Sequence, residues 1–431
     1  MTTPLTARER IALGQQQRKH MRRADHAGWQ SKLRQADPLR LLADSMSGRV
    51  PELVSIKYDR MAASPFGFFR GAVPVMAYDL SLLPHTGIVS QLCGDAHVQN
   101  LGAFCGLDGA MIFDINDFDE TIRGPFEWDV KRMATSILLA GQSAKISTGG
   151  CREGVDTFLE IYCGYMQRFS RMPILAVARF QVHRLASVAP ISKILYKAER
   201  ETPLLSLERL TVETPQGRVF KSNPPVLRPV TGAEAKAVLA SLPAYTHSLL
   251  PERRRFFAKF RPIAVAFKIV GTGSVGLRDY CVLLEGNGSA DPLFLQIKQE
   301  APSAYAQYLP KSAVTTTHDG QRTVEGQRAM QLQSDPLLGW TTIARRSYLV
   351  RQLNDHKASV NIATLKATGL AEYATVCGEM LARGHARSGD PRVIAGYIGN
   401  GKRFKQSITG FAAAYAKQSV ADWKVLLASR K

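Results

Sequence analysis

Acidic residues are scarce in this chain: 36 Asp and Glu stand against 56 Lys and Arg over 431 residues, a formal charge of +20. Such an excess indicates an anionic partner without identifying it, because the basic residues are dispersed rather than gathered in one block. ATP and phosphorylated substrates qualify, as do nucleic acid and membrane surfaces. No nucleic-acid reading module and no basic stripe interleaved with aromatics is present, which removes the usual grounds for a specific nucleic-acid binder. Six cysteines at 93, 105, 151, 163, 281 and 377 include no C-x-x-C pair. That spacing argues against a structural zinc site and supplies no disulfide framework, so a reducing cytoplasm fits best. No apolar run approaches the length of a membrane span, and Met1 to Arg10 lacks the apolar core of a secretory signal. Internal repeats and low-complexity tracts are also lacking. The expectation is a soluble, cytoplasmic, globular protein of two or three domains.

What is present is concentrated chemistry. Cys93-Gly94-Asp95-Ala96-His97-Val98-Gln99-Asn100, followed by Phe113-Asp114-Ile115-Asn116-Asp117, reads as the acidic half of a phosphoryl-transfer site. Asp-x-x-x-x-Asn and a later strand-borne Asp are how kinases place a base and two magnesium ligands in one pocket. A transferring phosphoryl group spreads charge over its oxygens, so the protein orients the acceptor hydroxyl and holds hard cations with carboxylate and amide oxygens. Asp95 is the candidate base, and Asn100 and Asp114 are the candidate ligands. Gly87 to Cys93 and Met111 to Phe113 read as two short strands forming a hairpin-like pair, with Gly106-Leu107-Asp108-Gly109-Ala110 as the turn. Arg60 to Gly71, with Pro65, Gly67 and three phenylalanines, reads as a loop able to present Arg70 to a phosphate.

Residues 1 to 45 read as basic amphipathic helix, Gly124 to Gln142 as the start of a helical region reaching about residue 172, and 200 to 232 as loop. From about 260 the pattern changes to strands: Ala264 to Val270, Tyr280 to Leu284 and Leu293 to Lys298, an antiparallel meander. Between the first two lies Gly271-Thr272-Gly273-Ser274-Val275-Gly276. A G-x-G-x-x-G followed by a strand, with Lys298 two strands on, is a nucleotide-covering arrangement in which backbone amides approach phosphate. Gly271, Gly273, Ser274, Gly276 and Lys298 are therefore candidate nucleotide contacts. Glu325 is the best helix-borne carboxylate to hold Lys298, although Glu300 is nearer and Gly326 is a poor mid-helix residue. Tyr348 to Leu353 reads as a further strand, ending near Asp355 and Lys357 on the hinge side of a pocket. Helices are expected from Ile362 to His385 and from about 405 to 428, with His385 complementing a helix dipole.

These items occur in a rotated order, acids first and glycine loop last, as in a circular permutation whose junction lies between 175 and 255. Ser64-Pro65-Phe66, Phe69-Arg70-Gly71, Cys93 to Asn100, Phe113 to Glu120, Gly124 to Arg132, Gly271 to Gly276, Glu325 to Arg328 and His385 to Asp390 together resemble a widespread bacterial domain of unknown function, the DUF2252 type. More distantly, Gly94-Asp95-x-His97-x-x-Asn100, the later Asp114 and Trp128-Asp129 are similar to the aminoglycoside and choline kinase branch of the protein-kinase-like fold. That resemblance implies Asp95 as base, Asn100 and Asp114 as magnesium ligands, Lys298 as the nucleotide lysine and Asp129 as a structural carboxylate. Departures are Cys93 in place of His, no Phe-Gly after Asp114, Arg278 where a small apolar residue covers adenine, and Asp117 competing with Asp114 for metal.

The expected architecture is α+β, a two-lobe kinase-like fold in permuted order. Its expected parts are an N-terminal extension (1–86), a catalytic and helical region (87–255), a nucleotide-covering sheet (256–358) and C-terminal helices (359–431). The leading expectation is an ATP- and Mg2+-dependent phosphotransferase for a small-molecule hydroxyl, with Arg70 and His97 as further substrate or phosphate contacts. Alternatives are a metal-dependent hydrolase built on Asp95, His97, Asp114, Asp117 and Asp119, a non-catalytic nucleotide-binding module, or a nucleotidyl transferase.

Overall fold

Capping chemistry sets where the N-terminal helices begin. Thr6 and Glu9 form a reciprocal capping box ahead of the helix Ala7–His20, and Asp37 caps Pro38–Asp44. The segment 60–71, expected as a loop, is helical instead: Ser64 accepts from the Gly67 amide at 2.9 Å and Pro65 occupies the first turn, giving the helix Pro65–Gly71. It follows Pro51–Ala62, and Val73–Ser81 comes next. The long helix expected over 1–45 breaks after His20, where Met21 is extended. The computed structural model describes residues 4–106, 109–182, 188–269, 271–353 and 358–430. Leu107, Asp108, Val270, Asp355 and Lys357, which carry part of the expected turn, strand and hinge, lie outside the described residues.

Strands follow in chain order: β1 (Val89–Leu92), β2 (Leu101–Cys105), β3 (Met111–Ile115), β4 (Ile122–Pro125), β5 (Thr211–Thr214), β6 (Gly217–Phe220), β7 (Leu227–Val230), β8 (Arg261–Lys268), β9 (Asp279–Glu285), β10 (Pro292–Gln299), β11 (Gly339–Ile343), β12 (Arg346–Gln352) and β13 (Ala358–Ser359). All pairings between them are antiparallel. The expected partnership of the strand before Gly94 with the strand before Asp114 does not form. Leu101 to Cys105 is itself apolar enough to make a strand, so β2 takes β3 as its hairpin partner while β1 pairs with β4. Both pairs still aim their ends at the same place.

The main sheet has the order β11-β12-β10-β9-β8-β7. The expected meander is its centre, with the glycine loop joining β8 to β9, and the helix Asp319–Met330 packs on β11 and β12. Val265, Val282, Leu295, Ile297 and Val350 line one face and are covered by Val238, Leu242, Tyr245 and Phe257. The sheet's core thus reaches back before the expected boundary at 256. Much of the expected 200–232 loop is regular too: it contains the helix Pro203–Leu210 and strands β5 to β7.

A larger core is helical. Glu127–Ser143, Thr148–Arg171, Ala367–Ser388 and Lys402–Ala428 pack around Phe126, Tyr162, Tyr373 and Phe411, which are all but inaccessible. The N-terminal segment is tied into it: Arg34 pairs with Asp79 and Asp422, and the three side chains are 1–6% exposed. A mixed α+β protein results, an antiparallel sheet set on a helical body.

Candidate functional site

The loop after β1 is held from below. Gly94 turns it at φ +82°, and a Cβ there would lie 2.1 Å from the Glu120 carbonyl oxygen, so only glycine fits. The Asp129 carboxylate, at the start of its helix, accepts from the Cys93 amide at 2.8 Å and the Gly94 amide at 3.1 Å. His385 lies 3.3 Å from the same carboxylate and 2.8 Å from the Tyr162 hydroxyl, so it braces the loop from within the helical core. This gives His385 a buried partner set rather than a helix-dipole role alone.

Asp95 then projects into a cleft and keeps 18% of its side chain exposed. Arg132 Nε donates to it at 2.8 Å, and His97 Nε2 is 3.5 Å away. Burial alone would raise its pKa, but the Arg132 guanidinium and His97 outweigh that and hold it below the usual carboxylate range. Burial lowers the pKa of His97, so the ring is neutral at pH 7; Nδ1 accepts from the Gln99 amide and the proton is assigned to Nε2. Asn100 bridges the acids: its Nδ2 donates to the backbone oxygens of Asp95 and Asp117, each at 2.9 Å. Its Oδ1 is buried without a hydrogen-bond partner.

The sheet supplies the opposite wall. Lys298, 3% exposed on β10, bonds both carboxylate oxygens of Asp119 and lies 3.6 Å from Asp117 Oδ1. Burial opposes its charge, but Asp117 and Asp119 outweigh it and raise the pKa above the ordinary lysine value. Two arginines carry the acidic segment against the sheet. Arg322 donates to the carbonyls of Asp119 and Thr121, and Arg351 to that of Asn116 at 2.9 Å. Gly271, Gly273 and Ser274 roof the cleft, with Asp95, His97, Asp117 and Asp119 below them.

Four residues in the sequence reading sit elsewhere. Asp114 is buried in an ion pair with Arg383 and lines a separate cavity with Met111, Gln181 and Met380. Asp117, three residues on, lines the cleft with Asp95. Glu325 is exposed and accepts from Gln321 at 2.7 Å, so it does not hold Lys298. The helix carrying it packs too closely for anything but Gly326 on its inner side, where a Cβ would meet Thr121 Oγ1 at 2.3 Å. Gly276 lies outside the cleft lining, its space bounded by Arg49. Arg278 contacts Gln299.

Sequence reasoning singled out Arg70 but missed the other cations of the N-terminal segment. Lys57 donates to the Gly273 carbonyl at 2.8 Å, Arg49 to that of Val275 at 2.5 Å, and Arg60 to that of Gly271. The Val50 amide bonds the Gly276 carbonyl at 2.7 Å. The glycine loop is thereby gripped along its outer edge, and Arg49, Lys57 and Arg70 line the cleft beneath it. No local pattern announced this, since the partners are more than 200 residues apart. Arg132 was equally hidden, and Asp119 was singled out only as a metal carboxylate of the hydrolase alternative.

The fold and site define an α+β protein whose sheet and helical body enclose one cleft lined by a glycine loop, carboxylates and buried cations. The chain belongs to the family described as uncharacterized protein conserved in bacteria (DUF2252), whose model matches residues 49–429. No curated protein and no solved structure matches it. Among the described residues no helix is long and apolar enough to cross a membrane.

Proposed function

We propose that this protein is an ATP- and Mg2+-dependent phosphotransferase acting on the hydroxyl of a small molecule. The observation that carries the reading is the meeting of Lys298, from the sheet, with Asp117 and Asp119, beside Asp95 and under the glycine loop. Further support comes from strand order. β8-β9-β10-β12-β11, with the glycine loop between the first two and a helix between β10 and β11, is similar to the nucleotide-covering lobe of kinases. The rotation of the chain is consistent with this: Gly389, just after the helix Ala367–Ser388, abuts Ser90 of β1, where an unrotated chain would pass directly from helix to catalytic loop.

The residues fit the cofactors. Oxygen ligands suit Mg2+, and Asn100 Oδ1 is a buried oxygen without a hydrogen-bond partner, beside Asp117, whose carboxylate lines the cleft. When bound, the ion would neutralise charge on the triphosphate. Lys298, held by Asp119, would bind phosphate oxygens, and the loop's backbone would cover them. Asp95, held ionised, is a weak base, so its main task is to orient the acceptor hydroxyl and accept its proton late in transfer. Asp119 and Asn100 keep Lys298 and Asp117 in register.

Asp95→Ala is expected to lower ATP turnover at least about a hundredfold, the usual share of a positioned base, while calorimetry still detects Mg-ATP. Lys298→Met and Asp117→Asn should lose nucleotide binding itself. Undiminished turnover in Asp95→Ala would remove that residue from the mechanism. Thermal stabilisation of the wild type by Mg-ATP, with no turnover on any acceptor, would assign the cleft to a non-catalytic nucleotide-binding module.

A further inference from the structure

Charge in the cleft is unevenly compensated. Each acid that approaches the glycine loop has a counterpart: Asp95 has Arg132, and Asp117 and Asp119 share Lys298. Glu120 accepts from the Ala304 amide at 2.7 Å and Glu300 from the Thr323 hydroxyl at 3.2 Å; burial raises the pKa of both. The cations of the N-terminal segment are only attracted from further off, Arg49 by Glu120 and Asp119, Lys57 by Glu120 and Asp95, Arg70 by Asp95 and Asp117. Among the described residues Arg49 meets only the carbonyls of Ser45 and Val275, Lys57 only that of Gly273, and Arg70 only the amide oxygen of Gln99 at 2.8 Å. Among the described residues no carboxylate lies in ion-pair range of any of the three. Lys57 is 2% exposed, and Arg70 Nε is buried with no partner at all. Burying cations against carbonyl dipoles alone is costly, and the cost is recovered when an anion enters.

We propose that Arg49, Lys57 and Arg70 form an anion subsite for the acceptor, so that the molecule phosphorylated by this protein already carries a phosphate or carboxylate group. The claim rests on the phosphotransferase reading for the word acceptor, but not for the anion. These cations come from the helix Pro51–Ala62 and its neighbours and line the cleft together with Asp95 and His97, whereas Lys298 is carried by the sheet. An anion here would set its hydroxyl toward Asp95 while the triphosphate occupies the Lys298 side. Arginine with its fork of donors is suited to such oxygens, and Arg70 has a free N–H to offer. Burial and the charge of Arg49 lower the Lys57 pKa to about 7, as expected of a lysine awaiting an anion.

The same charges could instead serve the terminal phosphate of ATP, and a titration of the full chain separates the two. Inorganic phosphate is the probe, followed by isothermal calorimetry with and without a saturating Mg complex of a non-hydrolysable ATP analogue. One phosphate should bind per chain under both conditions. Arg70→Gln should weaken it at least about tenfold, the worth of a charge-assisted bond, and leave the affinity for the analogue within about twofold. Arg70→Lys, which keeps the charge, should recover part of the loss. Exclusion of phosphate by the analogue would overturn the proposal by giving the cations to the nucleotide. An unchanged phosphate affinity in Arg70→Gln, or none in the wild type, would overturn it outright. Phosphate bound through Arg70 by a chain that ignores Mg-ATP would retain the anion subsite and remove the phosphotransferase reading.

Discussion

Lys57 shows how a single buried charge makes stability depend on pH. Its folded-state pKa of about 7 lies below the ordinary lysine value of 10.5, because burial and Arg49 outweigh the attraction of Glu120 and Asp95. Between these two values the unfolded chain holds a proton that the folded chain has released, so folding is favoured as pH rises. Each unit of difference is worth about 1.4 kcal/mol. Stability to urea should therefore climb from pH 7 to pH 9, and Lys57→Met should flatten that climb. A wild-type profile as flat as the variant's would show that Lys57 titrates normally. Bound phosphate should flatten it too, by returning the lysine to its charged form. At the same scale, Asp114 and Asp117 illustrate the limits of spacing. One lies at the end of the strand Met111–Ile115 and the other just after it, and the neighbour each one meets, Arg383 or Lys298, separates a core ion pair from an acid that lines the cleft.

Elements matter here through what holds them. The loop Cys93 to Asn100 carries the candidate base, yet its shape is set by Asp129 on another helix and by Tyr305, whose hydroxyl donates to the Gly94 carbonyl at 2.8 Å. Asp129→Ala would strand two buried N–H donors and His385, costing on the order of 3 kcal/mol. Hydrogen exchange at the Cys93 and Gly94 amides should accelerate more than exchange in the sheet. Equal acceleration everywhere would mean global destabilisation without a local latch. The structural role of Asp129 was legible in sequence only through the kinase resemblance of Trp128-Asp129 at a helix start. The hairpin was misread for a complementary reason: periodicity identifies strands but not their partners, and β1 to β4 can be paired in several ways without breaking alternation.

Across the whole molecule the family match begins at residue 49, but the packing does not. His26 and Trp29 are buried, His26 lies 2.9 Å from the Tyr397 hydroxyl, and Arg34 closes an ion-paired triad with Asp79 and Asp422. A chain begun at Arg49 would leave both acids unpaired in a core, at about 3–5 kcal/mol for a broken buried pair, besides the lost apolar contacts. Its melting temperature should fall and its binding of a hydrophobic dye should rise. An unchanged melt would show that the first 48 residues are an appendage.

The sequence by itself determined the mixed α+β class, the helical and strand-forming stretches, the turn at Gly94 and the chemical identity of the cleft: Asp95, Asn100, the glycine loop and Lys298. Those features depend on local periodicity, on backbone freedom and on the intrinsic chemistry of side chains, all of which act over a few residues. Tertiary structure alone decided that Asp119 rather than Glu325 holds Lys298, that Asp117 rather than Asp114 faces it, and that Arg49 and Lys57 lie beneath a glycine loop more than 200 residues away. A charge's partner is whichever opposite charge the packed core brings within a few ångströms, and no spacing along the chain encodes that distance.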